Sequence, residues 1–372
     1  MTDLLYSEVE NDLRGSVRDL LAQRSPVERV LARVESGEAY DQSLWRTLAG
    51  EMGLAGMAVP ERFGGGGASL RESAVVLEEL GRALCPSPYA STAIGAVSLV
   101  LAAGAAREHR FLLPGLADGS TIGTLAIYEP GARYQWRTPS SRVRVEGEVW
   151  RFDGTKAHVA DAAARNLLLA TALDPDGALG VYALQRDDAV SIEPHATVDG
   201  SRKESTVTFD GATAWRLGDA DATDAVARTL DRLATAYVVD GVGAAAQAMA
   251  LAVDYAKERV QFDKPIGSFQ AVQHLCADML RALELGRAAG YYACWAADDA
   301  DPAEAHRAAT MAKAFASDAY AQLGGTAIQV FGGIGFTWEH DIHLYYKRLL
   351  SLSVSLGNTS EHLAELARIT ID

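Results

Sequence analysis

Cysteine is nearly absent. Among 372 residues only Cys85, Cys276 and Cys294 occur, an odd number, far apart and without a CxxC pair. That excludes a cysteine-based zinc site and favours reduced thiols in a cytoplasmic compartment. Clustered positive charge is also missing: 34 Lys and Arg stand against 49 Asp and Glu, a net charge of −15. A nucleic-acid partner needs a basic face to neutralise phosphate, so none is expected. Long apolar runs are lacking as well, since no segment reaches the roughly 18 uncharged residues of a membrane helix. The longest apolar run, Tyr89 to Ala106, consists mainly of Ala, Gly and Ser and reads as a tightly packed soluble helix. The N-terminal MTDLLYSEVENDLRG is charged and has no signal-peptide core, so no membrane and a cytoplasmic location are expected.

What is present changes character twice. To about Leu116 the period is helical, with apolar residues at threes and fours in Asp41–Met52 and Ser69–Leu84. Pro60 and Gly64 to Gly67 break that pattern in a long turn; without a P-loop lysine it reads as a connector. From about Ser120 to Asp210 the period is two. Val143 and Val145 alternate, Glu146-Gly147 marks a hairpin, and Val149 and Phe152 resume beyond it. Asp153-Gly154 and Asp176-Gly177 read as further turns, and Ser205–Phe209 as a strand. From about Ala222 the pattern is helical again. Asp224–Arg259 and Ser268–Asp298 are candidates, with Ser268 as N-cap, and a third helix opens at Asp301-Pro302-Ala303-Glu304 and ends at Gly324-Gly325. The fold class is therefore α+β: an N-terminal helical domain (1–117), a central antiparallel β domain (118–215) and a C-terminal helical domain (216–372).

Several segments carry a family likeness: AVPERFGGGG followed by AVVLEELGRAL, Glu129-Pro130, FDGTKAHV (Phe152–Val159), YAKERVQFDKPIGSFQAVQH (Tyr255–His274) and QVFGGIGFTWEHDIHLYYKR (Gln329–Arg348). In this order the chain resembles the acyl-CoA dehydrogenase family over nearly its whole length. The resemblance implies that the C-terminal domain is a four-helix bundle and that FAD is held across a subunit interface. It also implies an acyl-CoA substrate and an electron-transfer flavoprotein as electron acceptor. Arg259, Phe262, Ile266 and Gln270 match positions that reach the adenosine-diphosphate end of a flavin bound mainly to a neighbouring subunit, and Gln329, Gly332 and Gly333 would contact the same pyrophosphate. The chemistry agrees: a guanidinium offers several fixed donors to a diphosphate, and glycines let backbone N–H groups approach.

The implied reaction is α,β-dehydrogenation, in which a carboxylate takes the α-proton while the β-hydride goes to the flavin. Three places in the family supply that carboxylate. Here they hold Gly357, Leu233 and Asp240, the last matching actinobacterial members that work as two-gene complexes. Leu233, Tyr237, Asp240, Ala244 and Leu251 share one helix face, where an aspartate is costly unless paired or functional. Asp240 is the candidate base; the alternative is a carboxylate partnered by a nearby Arg, Tyr or backbone N–H. The flavin face differs from the family: Arg133-Tyr134 replace a Gly-Ser pair, Ala160 a hydroxyl residue and His158 a bulky aromatic. Either the ring sits differently or this copy of the site holds no flavin. Small residues such as Gly241 and Ala244 to Ala246 would leave room for a bulky acyl group.

Three functions follow. The resemblance implies a subunit of an FAD-dependent acyl-CoA dehydrogenase for a bulky, steroid-derived thioester, paired with a related subunit as α2β2. Alternatively it is a catalytically silent scaffold that completes its partner's FAD site, or a self-sufficient homotetramer using Asp240. Glu339, His340, Asp341 and His343 share one short segment, but helix-terminus and interface contacts explain such groups more often than metal does. No metal is expected.

Overall fold

The computed structural model describes residues 6–371, apart from Arg133, Glu148 and Arg186. The helices are α1 (Glu8–Arg24), α2 (Val27–Ser36), α3 (Gln42–Trp45), α4 (Leu70–Arg82), α5 (Val97–Ala103), α6 (Ala106–Ala117), α7 (Thr223–Glu258), α8 (Gln270–Asp299), α9 (Pro302–Phe331), α10 (Ile342–Val354) and α11 (Thr359–Ile371). The strands are β1 (Gly123–Ala126), β2 (Arg142–Glu146), β3 (Val149–Ala160), β4 (Leu167–Leu173), β5 (Leu179–Leu184), β6 (Val190–Pro194), β7 (Glu204–Arg216), β8 (Val260–Gln261) and β9 (Lys264–Pro265). The chain divides into two compact units. One comprises residues 1–35, 74–85 and 234–372, and the other 36–73 and 86–233.

In the second unit β1 to β7 form one sheet. β5 pairs with both β4 and β7, so the sheet curls back on itself around Phe152, Leu168, Tyr182, Leu184, Val207 and Phe209. The β2–β3 hairpin is as expected, with Glu146 opposite Val149. Asp176-Gly177 turns between β4 and β5, where Gly177 has φ 91° and its N–H reaches the Asp174 carbonyl. Three expectations fail. The sheet is mixed, because β1 runs parallel to β4 and β2 touches β4 in parallel. Asp153-Gly154 is no turn: it lies inside β3 at a bulge, with Gly154 extended at φ 150° over Ser141. The Tyr89–Ala106 run is not one α-helix either. Ala90–Ala96 is a π-helix that passes into α5 and stops at Gly104, whose N–H caps the Val100 carbonyl.

The first unit is built on alanine. Ala245, Ala248 and Ala252 of α7 meet Ala308, Ala312 and Ala316 of α9 in one core with Leu283, Leu323 and Leu349. Short side chains bring helix backbones close, and β-branched crowding is avoided. An 18-residue stretch of α7 is apolar enough to cross a membrane by composition, contrary to expectation, but 67% of it is buried within the protein. α9 starts where expected: Asp301 accepts from the N–H groups of Ala303 and Glu304, and Pro302 opens the first turn. It does not end at Gly324-Gly325. Gly324 is buried mid-helix, where an added Cβ would lie 3.0 Å from the Tyr346 ring on α10, so this glycine serves helix packing. Ser268 is not the cap of α8: it closes a 3-10 turn, and α8 starts from Phe269 without a side-chain cap.

Candidate functional site

α7 leaves its last turn into a tight hairpin. Val260 pairs with Pro265 and Gln261 with Lys264. The two turn residues, Phe262 and Asp263, both have positive φ (52° and 63°), the geometry of a type I′ turn. A turn that usually takes Asn or Gly here carries a phenylalanine, and its ring is 86% exposed. Arg259 stands at the hairpin's base, with its carbonyl accepting from Ile266 N–H. Gln270 opens α8, so it sits at the positive end of a 30-residue helix.

The second expected segment lies beside the first. Tyr255 of α7 stacks on Phe331 of α9 with ring centroids 4.3 Å apart, and Phe331 meets His340 at 4.2 Å. Just before and after Phe331 come Gln329, Gly332 and Gly333, all exposed. Gly332 has φ 65° and ψ −141°, a conformation open essentially to glycine alone, and nothing lies within 4 Å of where its Cβ or that of Gly333 would be. A guanidinium, a helix N-terminus, two amides and a bare stretch of backbone N–H groups suit the diphosphate end of FAD. Phe336 and Trp338 are also exposed, at 79% and 75%. His340 accepts from Ile342 N–H through Nδ1, and His343 packs edge-on against Trp338 at 4.6 Å, so both serve the start of α10.

Asp240 lies in α7 with 4% of its surface exposed. Arg348 of α10, 2% exposed, reaches Oδ1 of Asp240 at 3.2 Å. On the other side is Gly81 of α4, where an added Cβ would come 2.8 Å from Oδ1 and still closer to the Asp240 carbonyl. The carboxylate is thus enclosed by a guanidinium and a glycine backbone. The small residues nearby lie under closely packed neighbours. Tyr320 fills the gap above Gly241, its ring 2.7 Å from an added Cβ, and α4 covers Gly243, where a Cβ would overlap the Glu78 carbonyl. They permit close helix contact.

Position 357 is closed for a different reason. Gly357 has φ 102°, and a Cβ there would be 2.8 Å from Nε2 of His362. Its carbonyl accepts from Lys313, whose buried ammonium also donates to the Leu352 carbonyl (3.0 Å) and Ser317 Oγ (2.8 Å). Burial pushes the Lys313 ammonium down to about 7. A side chain at position 357 would be strained by the positive φ and would need His362 to shift. Leu233 is buried and apolar. Sequence inspection passed over Lys313 and, as Asp240's partner, Arg348, because only the three-dimensional contact distinguishes them from other basic residues on helices.

In the other unit the FDGTKAHV motif is anchored by a buried pair. Lys156 donates to Glu129 at 2.8 Å, while Ser140 and Ser141 each donate to that carboxylate through both N–H and hydroxyl. Although burial acts in the opposite direction, these donors hold Glu129 down at about 2. Burial lowers Lys156 to about 8. Further along β3, the Ala160 carbonyl accepts from Thr124, and His158 pairs with Glu204 at 3.0 Å. Tyr134 packs edge-on against Tyr128 at 5.2 Å, while Arg133 lies outside the described residues.

Comparison with known proteins adds to this picture. Residues 7–120 match the model for the acyl-CoA dehydrogenase N-terminal domain, and residues 223–370 that for the acyl-CoA dehydrogenase C-terminal domain. The chain is 32% identical to acyl-CoA dehydrogenase IpdE2 of Mycolicibacterium smegmatis over 97% of its own length and 98% of that protein. Among solved structures, a variant of the Tcur3481–Tcur3483 steroid ACAD is 34% identical, with a TM-score of 0.88 and 98% of both chains covered. Butyryl-CoA dehydrogenase from Megasphaera elsdenii, at 21% identity, shares the fold over the full length of both chains with a TM-score of 0.92.

Proposed function

The chain belongs to the acyl-CoA dehydrogenase family, and from that premise we propose that it is one subunit of a hetero-oligomeric dehydrogenase for a bulky, steroid-derived acyl-CoA. Members of the family act on CH–CH bonds of acyl-CoA thioesters and bind FAD. The likeness to the Tcur3481–Tcur3483 steroid ACAD supports both the substrate class and the two-subunit assembly. FAD, when bound, takes the β-hydride of the thioester. The part of this chain is to hold it. Arg259 and the open backbone at Gly332 and Gly333 would engage the diphosphate, Gln270 and Gln329 would add amide donors, and Phe262 and Ile266 would pack beside the adenosine. An electron-transfer flavoprotein would accept the electrons.

The Asp240–Arg348 ion pair carries this reading. A general base must reach the substrate's α-proton through an open approach. Asp240 is held by a guanidinium against Gly81, and position 357 is a glycine in a conformation that strains any side chain. The proton acceptor then belongs to the related partner subunit, and this chain completes the partner's flavin site. A second reading keeps Asp240 as base with Arg348 as its counterion; a buried carboxylate on an apolar helix face favours it. The test is production of the chain alone and with its related subunit, followed by flavin content, oligomer size and turnover on thioesters from short-chain to steroid. Flavin and activity are expected only in the mixed assembly. A yellow homotetramer of this chain that oxidises acyl-CoA unaided overturns the proposal.

A further inference from the structure

Two histidines and a glutamate meet on the sheet, far from one another in sequence. Glu204 opens β7, and β7 pairs with β3 through Ala160 opposite Glu204 and Val159 opposite Ser205. His195 follows β6 directly, with its N–H on the Glu204 carbonyl at 2.9 Å. His158 sits in a register shift of β3 between Lys156 and Val159, at φ 53°. Such a bulge re-aims a side chain, and here it turns His158 onto Glu204. The two imidazole rings stand edge to face with centroids 5.9 Å apart. One ring nitrogen from each histidine and one carboxylate oxygen all lie within 4.8 Å of one another.

We propose that His158, His195 and Glu204 form a divalent-metal site, with zinc as the ion it takes. Two imidazoles and a carboxylate are an established zinc donor set, and tetrahedral zinc, at about 2.0–2.1 Å from each donor, needs donor atoms roughly 3.3 Å apart. The His158–Glu204 distance of 3.0 Å already meets this, and His195 needs only side-chain adjustment. Its orienting partner is in place: Nε2 of His195 lies 2.8 Å from Thr206 Oγ1, a contact that positions the ring. The His158 side chain is 59% exposed, so an ion has a route in and keeps a position for water. Arg202 also acts on Glu204 and opposes a metal. The sequence hides the site, because 37 residues separate the histidines and no short spacing motif exists.

The test uses the full-length chain, stripped with a chelator, and zinc alone as the titrant against a chromophoric competitor. Cobalt replaces zinc in a parallel spectroscopic titration. One equivalent per chain binding at micromolar concentration or tighter is expected, with the intense visible bands of low-coordinate cobalt. His158→Asn tolerates the positive φ, so it removes a ligand without straining the bulge. This variant, His195→Ala and Glu204→Gln should each weaken binding at least 100-fold while the circular dichroism spectrum is unchanged. Thr206→Val should weaken it about tenfold through the His195 ring. Absence of binding at millimolar zinc overturns the proposal, because the three side chains are then only an ion pair and a neighbour. Binding that survives all three ligand substitutions also overturns it, by placing the metal elsewhere.

Discussion

Replacing Asp240 and Arg348 together tests whether their pair is structural. Asp240→Leu alone leaves a guanidinium 2% exposed to water without its carboxylate. Breaking one partner of a buried pair costs about 3–5 kcal/mol. For a unit of this size each kcal/mol moves the melting temperature by about 2–4 °C, so a drop of roughly 6–20 °C is expected. Leucine branches at the same carbon as aspartate with slightly bulkier arms, and Arg348→Met keeps an apolar stem in place of the guanidinium. Exchanging a buried pair for apolar side chains of similar volume is neutral or stabilising by about 1–4 kcal/mol. Asp240→Leu/Arg348→Met should therefore melt at or above the wild-type temperature. Scanning calorimetry of the assembled enzyme gives the stability, and steady-state turnover on an acyl-CoA gives the chemistry. Turnover of the double variant is expected within about threefold of wild type. A double variant that folds normally but loses three or more orders of magnitude refutes the argument and makes Asp240 the base. Failure to regain stability refutes it from the other side, because the two groups would then not act as a pair.

Arg259→Ala removes an exposed side chain, so the chain's melting temperature should hold; flavin retention by the assembly, followed by absorbance after gel filtration, should fall at least tenfold. Gly243→Ala drives a Cβ into the Glu78 carbonyl and to 2.8 Å from Arg82 N, so α4 must move off α7 at a cost of about 1–3 kcal/mol or more, read by urea titration. Lys313 has a folded value lowered to about 7 by burial, below its ordinary 10.5. The unfolded chain therefore binds the extra proton between about pH 7 and 10.5, and this group's contribution to stability rises with pH across that window. Lys313→Met should flatten the rise in denaturation curves measured from pH 6.5 to 9; an unchanged slope refutes the assignment.

Features set by local chemistry were legible in the sequence. Asp301-Pro302 starts α9 because capping is a short-range affair, and the β2–β3 hairpin follows from alternation and its turn. Features set by distant neighbours were not. Gly324 looked like a stop signal because nothing in the sequence reveals Tyr346 packed above it, and Gly154 looked like a turn because the Ser141 side chain that presses on it is remote. The same division runs through the site. The motif around Arg259 is contiguous and could be read. Asp240 was picked out by its helix face, while Arg348, which gives that aspartate its setting, lies more than 100 residues on. The π-helix at Ala90–Ala96 has no sequence signature, since its hydrogen bonds answer to packing and not to side-chain period.

The type I′ turn at Phe262-Asp263 has a consequence for how the cell must make this protein. Its ring is exposed, as are those of Phe336 and Trp338, and such rings give a solitary chain adhesive aromatic surface. Copies synthesised in excess of whatever covers that surface would stick to one another or be degraded. In the proposed two-subunit assembly, output of the chain should therefore be matched to that of the related subunit.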